Sequence, residues 1–323
     1  METSARSFTA TEKLIGGLIL LLLSILFTIF YIYTLIALYR VSKKNSTFIL
    51  FFSQGIAHIL ILPQFIWLSL EVLSSTKTPL SNISEALILQ LPTLVSQAHI
   101  ILIPLNRAHA VFFPLSYEKF WTRRFSLTSA LLSWICGFSL AIYSVYGVQA
   151  PDSVFGSHDA EKISLSSLVT NSDPKLAEAF ALQHFFGRYI YMIAAGTAVS
   201  IYAITVIKII WEKCVQACNP SFNSSSHFRR QMNARVRLFF LCFITFIPNI
   251  LMTLQNYLIR VPAPYGDLII TLEEILSISI DPFVLVALSS LVRAALPGAK
   301  RFKCLAKKTG SVVHISAITS NYV

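Results

Sequence analysis

His58 and Asp281 are ionisable side chains set inside long apolar stretches. A charge is costly to keep there, so such a residue is a functional candidate by default. His58 lies ten residues, and Asp281 nine, from the basic end of its own stretch. At the α-helical rise these are depths of about 15 Å and about 14 Å. If the two helices touch, imidazole and carboxylate meet at one depth and can pair. Pro282 follows Asp281 and interrupts the helical hydrogen-bond ladder. The pair then reads either as a movable joint or as a static contact that fixes helix packing.

A second set of polar residues lies toward the opposite ends of the apolar stretches: Trp67, Glu71, Gln97, Tyr189, Gln255, Glu273 and Glu274. Together they can line a pocket with apolar walls and a few polar contacts. Taken singly, each can equally be an interfacial anchor or an interhelical hydrogen bond. Asn106-Arg107 is the sharpest local feature. It closes the third stretch and leads into Ala110-Val111-Phe112-Phe113-Pro114-Leu115-Ser116-Tyr117. An arginine there can pair with a neighbouring helix in one state and with a partner in another, or serve as an ordinary basic anchor.

Other chemistries lack their residues. A zinc hydrolase needs several ligands converging at one depth, and only His58, His99 and His109 lie in or near the apolar stretches. No metal or cofactor is expected, and the chain is not read as an enzyme. A retinal Schiff base needs a lysine in the last stretch, which has none. Nucleic acid is not an expected partner, since no basic run is interleaved with stacking aromatics.

The elements that must hold these residues follow from composition. Of 323 residues, 55% are hydrophobic and 13% charged, too few charges to cover a water-facing surface. Apolar runs of about 20 residues occur at 14–38, 48–73, 86–113, 127–148, 187–210, 238–259 and 268–290. The predicted fold is an all-α membrane protein, a bundle of seven transmembrane helices. Nineteen basic residues fall between spans one and two, three and four, five and six, and in the tail, against seven on the other side. The excess places the N-terminus outside and the C-terminus in the cytoplasm. The expected organisation is an outer N-terminus over 1–13, a helix domain over 14–290 and a cytoplasmic amphipathic segment and tail over 291–323.

All five cysteines fall in spans or on the cytoplasmic side, so no extracellular disulfide is expected. Asn82-Ile83-Ser84 is a glycosylation sequon on the outer side, while those at Asn45 and Asn223 fall in cytoplasmic loops. Leu291, Val292, Leu296, Phe302 and Leu305 are expected to face lipid on the inner leaflet, with basic residues at the headgroups. Cys304 sits where a palmitate can reach the membrane, or it stays a free thiol.

With these residues in place, the chain resembles a rhodopsin-like seven-helix receptor. More narrowly it is similar to the nematode serpentine chemoreceptors, closest to class v, with classes x and t as near alternatives. The resemblance runs over about residues 14–305 and is most specific from Pro104 to Trp121, where Asn106-Arg107 stands for the usual Asp/Glu-Arg-Tyr and Pro114 to Tyr117 for the following Pro-x-x-Tyr loop. Gln54 to His58, Trp134, Phe246 with Pro248, and Asp281-Pro282 resemble the second-, fourth-, sixth- and seventh-helix motifs. There are departures. His58 stands where most rhodopsin-like receptors carry Asp, Leu285 replaces a Tyr, and the common acid partner for Arg107 on the sixth helix is missing.

The resemblance implies a receptor for an external small molecule that signals through a cytoplasmic heterotrimeric G protein. It implies coupling at Asn106, Arg107, Tyr117, Arg235 and Arg237, and switching at His58, Phe246, Pro248, Asp281 and Pro282. It also implies a multi-pass place in the plasma membrane, among membrane lipids, with the ciliary membrane of sensory neurons as one such place. The alternative is a ligand-gated channel or transporter subunit, for which no paired repeat is found.

Overall fold

The computed structural model describes residues 8–76, 82–146, 157–159, 164–167, 174–218, 236, 239–240, 242–244, 246–247 and 265–298. The first long helices are α1 (Ala10–Ser42), α2 (Thr47–Ser74) and α3 (Asn82–Phe112). A short α4 (Pro114–Phe120) leads into α5 (Arg123–Tyr146). After two strands, β1 (Ser157–Asp159) and β2 (Ser164–Ser167), come α6 (Pro174–Cys218), α7 (Tyr265–Leu288) and α8 (Ser290–Ala295). Between α6 and α7, the described residues 236, 239–240, 242–244 and 246–247 are helical and supply part of span six.

Local chemistry explains the ends. Thr9 and Glu12 form a capping box: Thr9 Oγ1 accepts from the Glu12 backbone and Glu12 Oε2 accepts from the Thr9 backbone at 2.8 Å. Tyr265, the first residue of α7, donates to Glu12 Oε1, and its ring meets Phe8 edge-on. The N-terminal ends of α1 and α7 are thereby tied. Pro114 opens α4, where a missing N–H costs nothing. Pro63 sits inside α2 without ending it. The Gln64 side chain donates to the Leu60 carbonyl at 3.1 Å and to Ile88 O of α3 at 2.7 Å, so the disturbed turn is hydrogen-bonded across the helix pair.

Packing is by neighbours. α1 lies along α2, α7 packs on α1 and touches α2, and α3 is central, against α2, α5 and α6. Leu14, Leu18, Leu22 and Ile29 on α1, and Leu131, Ile135 and Phe138 on α5, are exposed apolar side chains. In a bundle of this kind they are the lipid face.

Four helical segments, Ala10–Ser42, Thr47–Ser74, Arg123–Ile142 and Met192–Glu212, are long and apolar enough to cross a membrane on length and composition alone. α3 and α7 are diluted by Gln, Pro and His in one and by four acids in the other. His99 of α3 and Asp281 of α7 are buried inside the bundle, so a residue average undersells both helices.

Three boundaries differ from expectation. α6 begins at Pro174, well before the apolar run at 187, because Lys175, Glu178, Gln183 and His184 interrupt the apolar residues of its first turns and lower their hydropathy. The loop before it carries the antiparallel hairpin β1–β2, with Ser157 opposite Ser167 and Asp159 opposite Ser164. β1 touches α3, and β2 touches α2 and α7. In the tail, Val292 is fully buried and Leu296 packs against the same core, while Leu291 is exposed. The expected lipid contact of Val292 and Leu296 is therefore replaced by contact with the bundle. The reason is local: Ser289 caps α8 from outside the helix, accepting from Val292 N, and the chain turns back. Arg293 donates to Val286 O and Ala287 O at the end of α7, and Arg40 of α1 donates to Ala295 O.

The core is in two parts. Toward the basic end are Leu38, Phe48, Phe51, Ile103, Val111, Tyr202, Phe239, Phe246 and Leu285. Toward the other end are Leu20, Leu62, Phe65, Leu68, Val72 and Ile275. In α2 and α7 the polar residues His58 and Asp281 fall between the two.

Candidate functional site

The middle layer is a buried polar cluster drawn from four helices. His58 Nδ1 lies 2.8 Å from the Tyr31 hydroxyl of α1 and 3.6 Å from Asp281 Oδ2 of α7. His58 Nε2 lies 2.8 Å from Ser96 Oγ of α3. The side chains of His58 and Asp281 are 5% and 10% exposed. Pro282 follows directly within α7. One turn further along α3, His99 is fully buried; its Nδ1 donates to Val95 O at 2.8 Å, and its Nε2 has no partner among the described residues. Trp134 of α5 donates from Nε1 to Ser53 Oγ of α2 at 3.0 Å, fixing α5 against the same stretch of α2.

At the basic end, Arg107 is 3% exposed, with its guanidinium carbon 5.7 Å from the Phe51 ring centre. Its side chain also meets the Cys242 thiol of span six. Among the described residues no carboxylate pairs with it, and its Nε has no hydrogen-bond partner. Asn106 is fully buried; its Oδ1 accepts from the Tyr117 hydroxyl at 3.2 Å, and its Nδ2 has no partner among the described residues. The same hydroxyl lies 2.6 Å from Thr47 Oγ1 at the start of α2. Trp121 donates to His109 Nδ1 at 2.9 Å, Ser46 Oγ donates to Trp121 O at 2.8 Å, and Arg123 donates to Lys43 O at 2.7 Å. These bonds clamp α4 and the start of α5 onto the α1–α2 turn, while Leu115 of α4 stays 90% exposed.

Tyr117→Phe removes the hydroxyl from both Thr47 and Asn106 and leaves a buried amide less satisfied. We expect a loss of about 1–3 kcal/mol. It should appear as a lower thermal midpoint for the purified protein. Thr47→Val should add less on top of Tyr117→Phe than it costs alone, because the two share one bond.

At the opposite end, Glu71 is buried and accepts from Trp67 Nε1 at 3.0 Å, one helical turn away. Gln97 Oε1 and Glu273 Oε2 are buried atoms without hydrogen-bond partners among the described residues, and Glu274 beside the latter is half-buried. Tyr189 is 47% exposed. Phe246 of span six is buried with its ring 5.4 Å from that of Tyr202. Arg235, Arg237, Pro248, Gln255 and Cys304 lie outside the described residues, as does the side chain of Asn82, the first residue of α3.

Sequence reasoning missed Tyr31, Ser96 and Tyr202. Each is one of several hydroxyls in a helix rich in apolar residues, with no charge or motif to mark it. It also missed that His109 and Trp121 bond to each other. Their spacing across Pro114 gives no such sign until the chain turns there.

The geometry defines a multi-pass membrane protein with the rhodopsin fold of seven helices. Among solved structures the chain is similar to squid rhodopsin, with a TM-score of 0.69 at 12% identity over 94% of this chain and 89% of that one. No protein-family profile and no curated protein matches it in sequence.

Proposed function

We propose that the chain is a chemosensory receptor of the plasma membrane, which takes an external small molecule at the Glu71–Glu273 end and couples to a heterotrimeric G protein at the basic end. The observation that carries this is Arg107. A buried guanidinium at the basic mouth, with no carboxylate against it among the described residues and an idle donor at Nε, is poised to meet acceptors from outside the bundle. Asn106, with its own idle amide donor, and Tyr117 hold the approach to it; Arg235 and Arg237 add cationic charge in the sequence just before span six.

The ligand is then a molecule that favours one of two packings of the bundle, for only differential binding moves such an equilibrium. His58, Phe246, Pro248, Asp281 and Pro282 are the joint at which the packings differ. The pocket draws on Trp67, Glu71, Gln97, Tyr189, Gln255, Glu273 and Glu274. The motifs between Pro104 and Trp121 support a nematode serpentine receptor, of class v in particular. That in turn supports a place in the sensory cilium, with Asn82 glycosylated and Cys304 acylated.

The test is a ligand panel read out by G-protein dissociation in cells, with surface expression measured in parallel. A ligand-evoked signal from the wild type that is lost in an equally expressed Glu273→Gln/Glu274→Gln variant supports both ends of the proposal. Ligand-evoked ion current that persists without G proteins would replace it with a channel.

A further inference from the structure

We propose that Tyr31, His58, Ser96 and Asp281 form a proton-binding site, which holds one proton between imidazole and carboxylate in the packed bundle and releases it when α7 moves away. The inference rests on the fold and the cluster, and not on the receptor reading.

The argument is one of donors and acceptors. A neutral imidazole has one N–H and one lone pair. If Nε2–H donates to Ser96, Nδ1 must accept, and the Tyr31 hydroxyl at 2.8 Å is the donor that reaches it. Asp281 Oδ2 then faces the same lone pair at 3.6 Å. An ionised carboxylate in that position is repelled and, among the described residues, has no cation beside it. One added proton removes the conflict, either on the carboxyl group or on Nδ1 facing the carboxylate. Either placement leaves the cluster with no net charge in an apolar interior, where an unbalanced charge is costly.

Among the described residues, the groups around the cluster do not supply the missing charge. α3 contributes His99, close enough to act electrostatically on His58, with Nδ1 committed to Val95. α6 contributes the Tyr202 hydroxyl and span six the Cys242 thiol, both within electrostatic range of Asp281. Arg107 of α3 shares those two neighbours, but the ion pair of Asp281 among the described residues is with His58. α2 adds Ser53, which is taken by Trp134. Pro282 leaves α7 short of a backbone bond at this level, which gives the carboxyl a way to move.

The test is the unfolding equilibrium of the full-length protein in detergent, followed across pH without ligand or partner. An unfolded chain loses its His58 proton near pH ~6.5 and its Asp281 proton near pH ~3.9. A folded cluster holding one proton matches the unfolded chain between those values. Above the first it holds one more, and below the second it holds one fewer. The folded-to-unfolded ratio should therefore be flat between them and fall by up to about tenfold per pH unit on either side. Asp281→Asn should remove the alkaline limb. His58→Gln should move the start of that limb down toward the carboxyl range. His99, Glu273 and Glu274 are present in every variant, so the difference between curves isolates the cluster. If wild type and Asp281→Asn run parallel from about pH 4 to about pH 9, the site does not exist. Should Asp281→Asn fail to fold, an alkaline limb unmoved by His58→Gln overturns the proposal equally.

Discussion

Gly137→Leu should leave almost no folded protein, while Gly196→Leu should fold normally. A Cβ built on Gly137 comes 2.7 Å from Val95 Cγ2 and 3.3 Å from the Val95 backbone nitrogen. α5 and α3 therefore approach as closely as a glycine permits. Valine is β-branched and has little rotamer freedom to yield, and the atom behind it is backbone. Between helices in a bilayer there is no hydrophobic effect to make good a lost fit, so packing itself holds them together. Overpacking of this kind costs about 1–3 kcal/mol for a methylene or two, and more when backbone must shift. A leucine side chain exceeds that. The same step would pull Trp134 from Ser53 and α3 from the depth at which Ser96 meets His58. Gly196 has nothing within 4 Å of its Cβ position and serves as the control. The check is the fraction of monodisperse protein recovered from membranes for each variant.

Arg107→Ala should separate signalling from stability. The guanidinium is buried between the Phe51 ring and Cys242 without a carboxylate among the described residues. Removing it deletes a buried charge with weak compensation, so the purified protein should lose little stability and can gain some. In the proposed coupling, the contact that Arg107 makes with the G protein is charge-assisted. Losing it should lower ligand-evoked coupling by more than about tenfold, the equivalent of about 1.4 kcal/mol. Coupling and thermal midpoint measured on one preparation distinguish this from simple misfolding. Equal loss of both would make Arg107 a packing residue.

How far the sequence carries the site depends on which coordinate is asked for. Depth is readable: counting from the ends of apolar runs sets His58 and Asp281 level, and the structure places them 3.6 Å apart. Rotation about the helix axis is not. α1 is apolar nearly all round, so nothing in its pattern says that Tyr31 faces His58 while Tyr33 faces the tail at Pro297. The same blindness hides Ser96, which looks like any small polar residue in α3. Amphipathic reasoning misled in the tail, where Val292 and Leu296 answer to the capped turn at Ser289 and not to lipid. The hairpin that touches α2, α3 and α7 is made largely of serines, with neither the alternation nor the β-branching that marks a strand.

Membrane orientation ties these results together, because it decides which end meets the outside world and which meets a cytosolic partner. The direct measurement is an epitope tag at each terminus, probed on intact and on permeabilised cells. Antibody should reach the N-terminal tag on intact cells and the C-terminal tag after permeabilisation alone. The reverse pattern would put Arg107 outside the cell and contradict the receptor account.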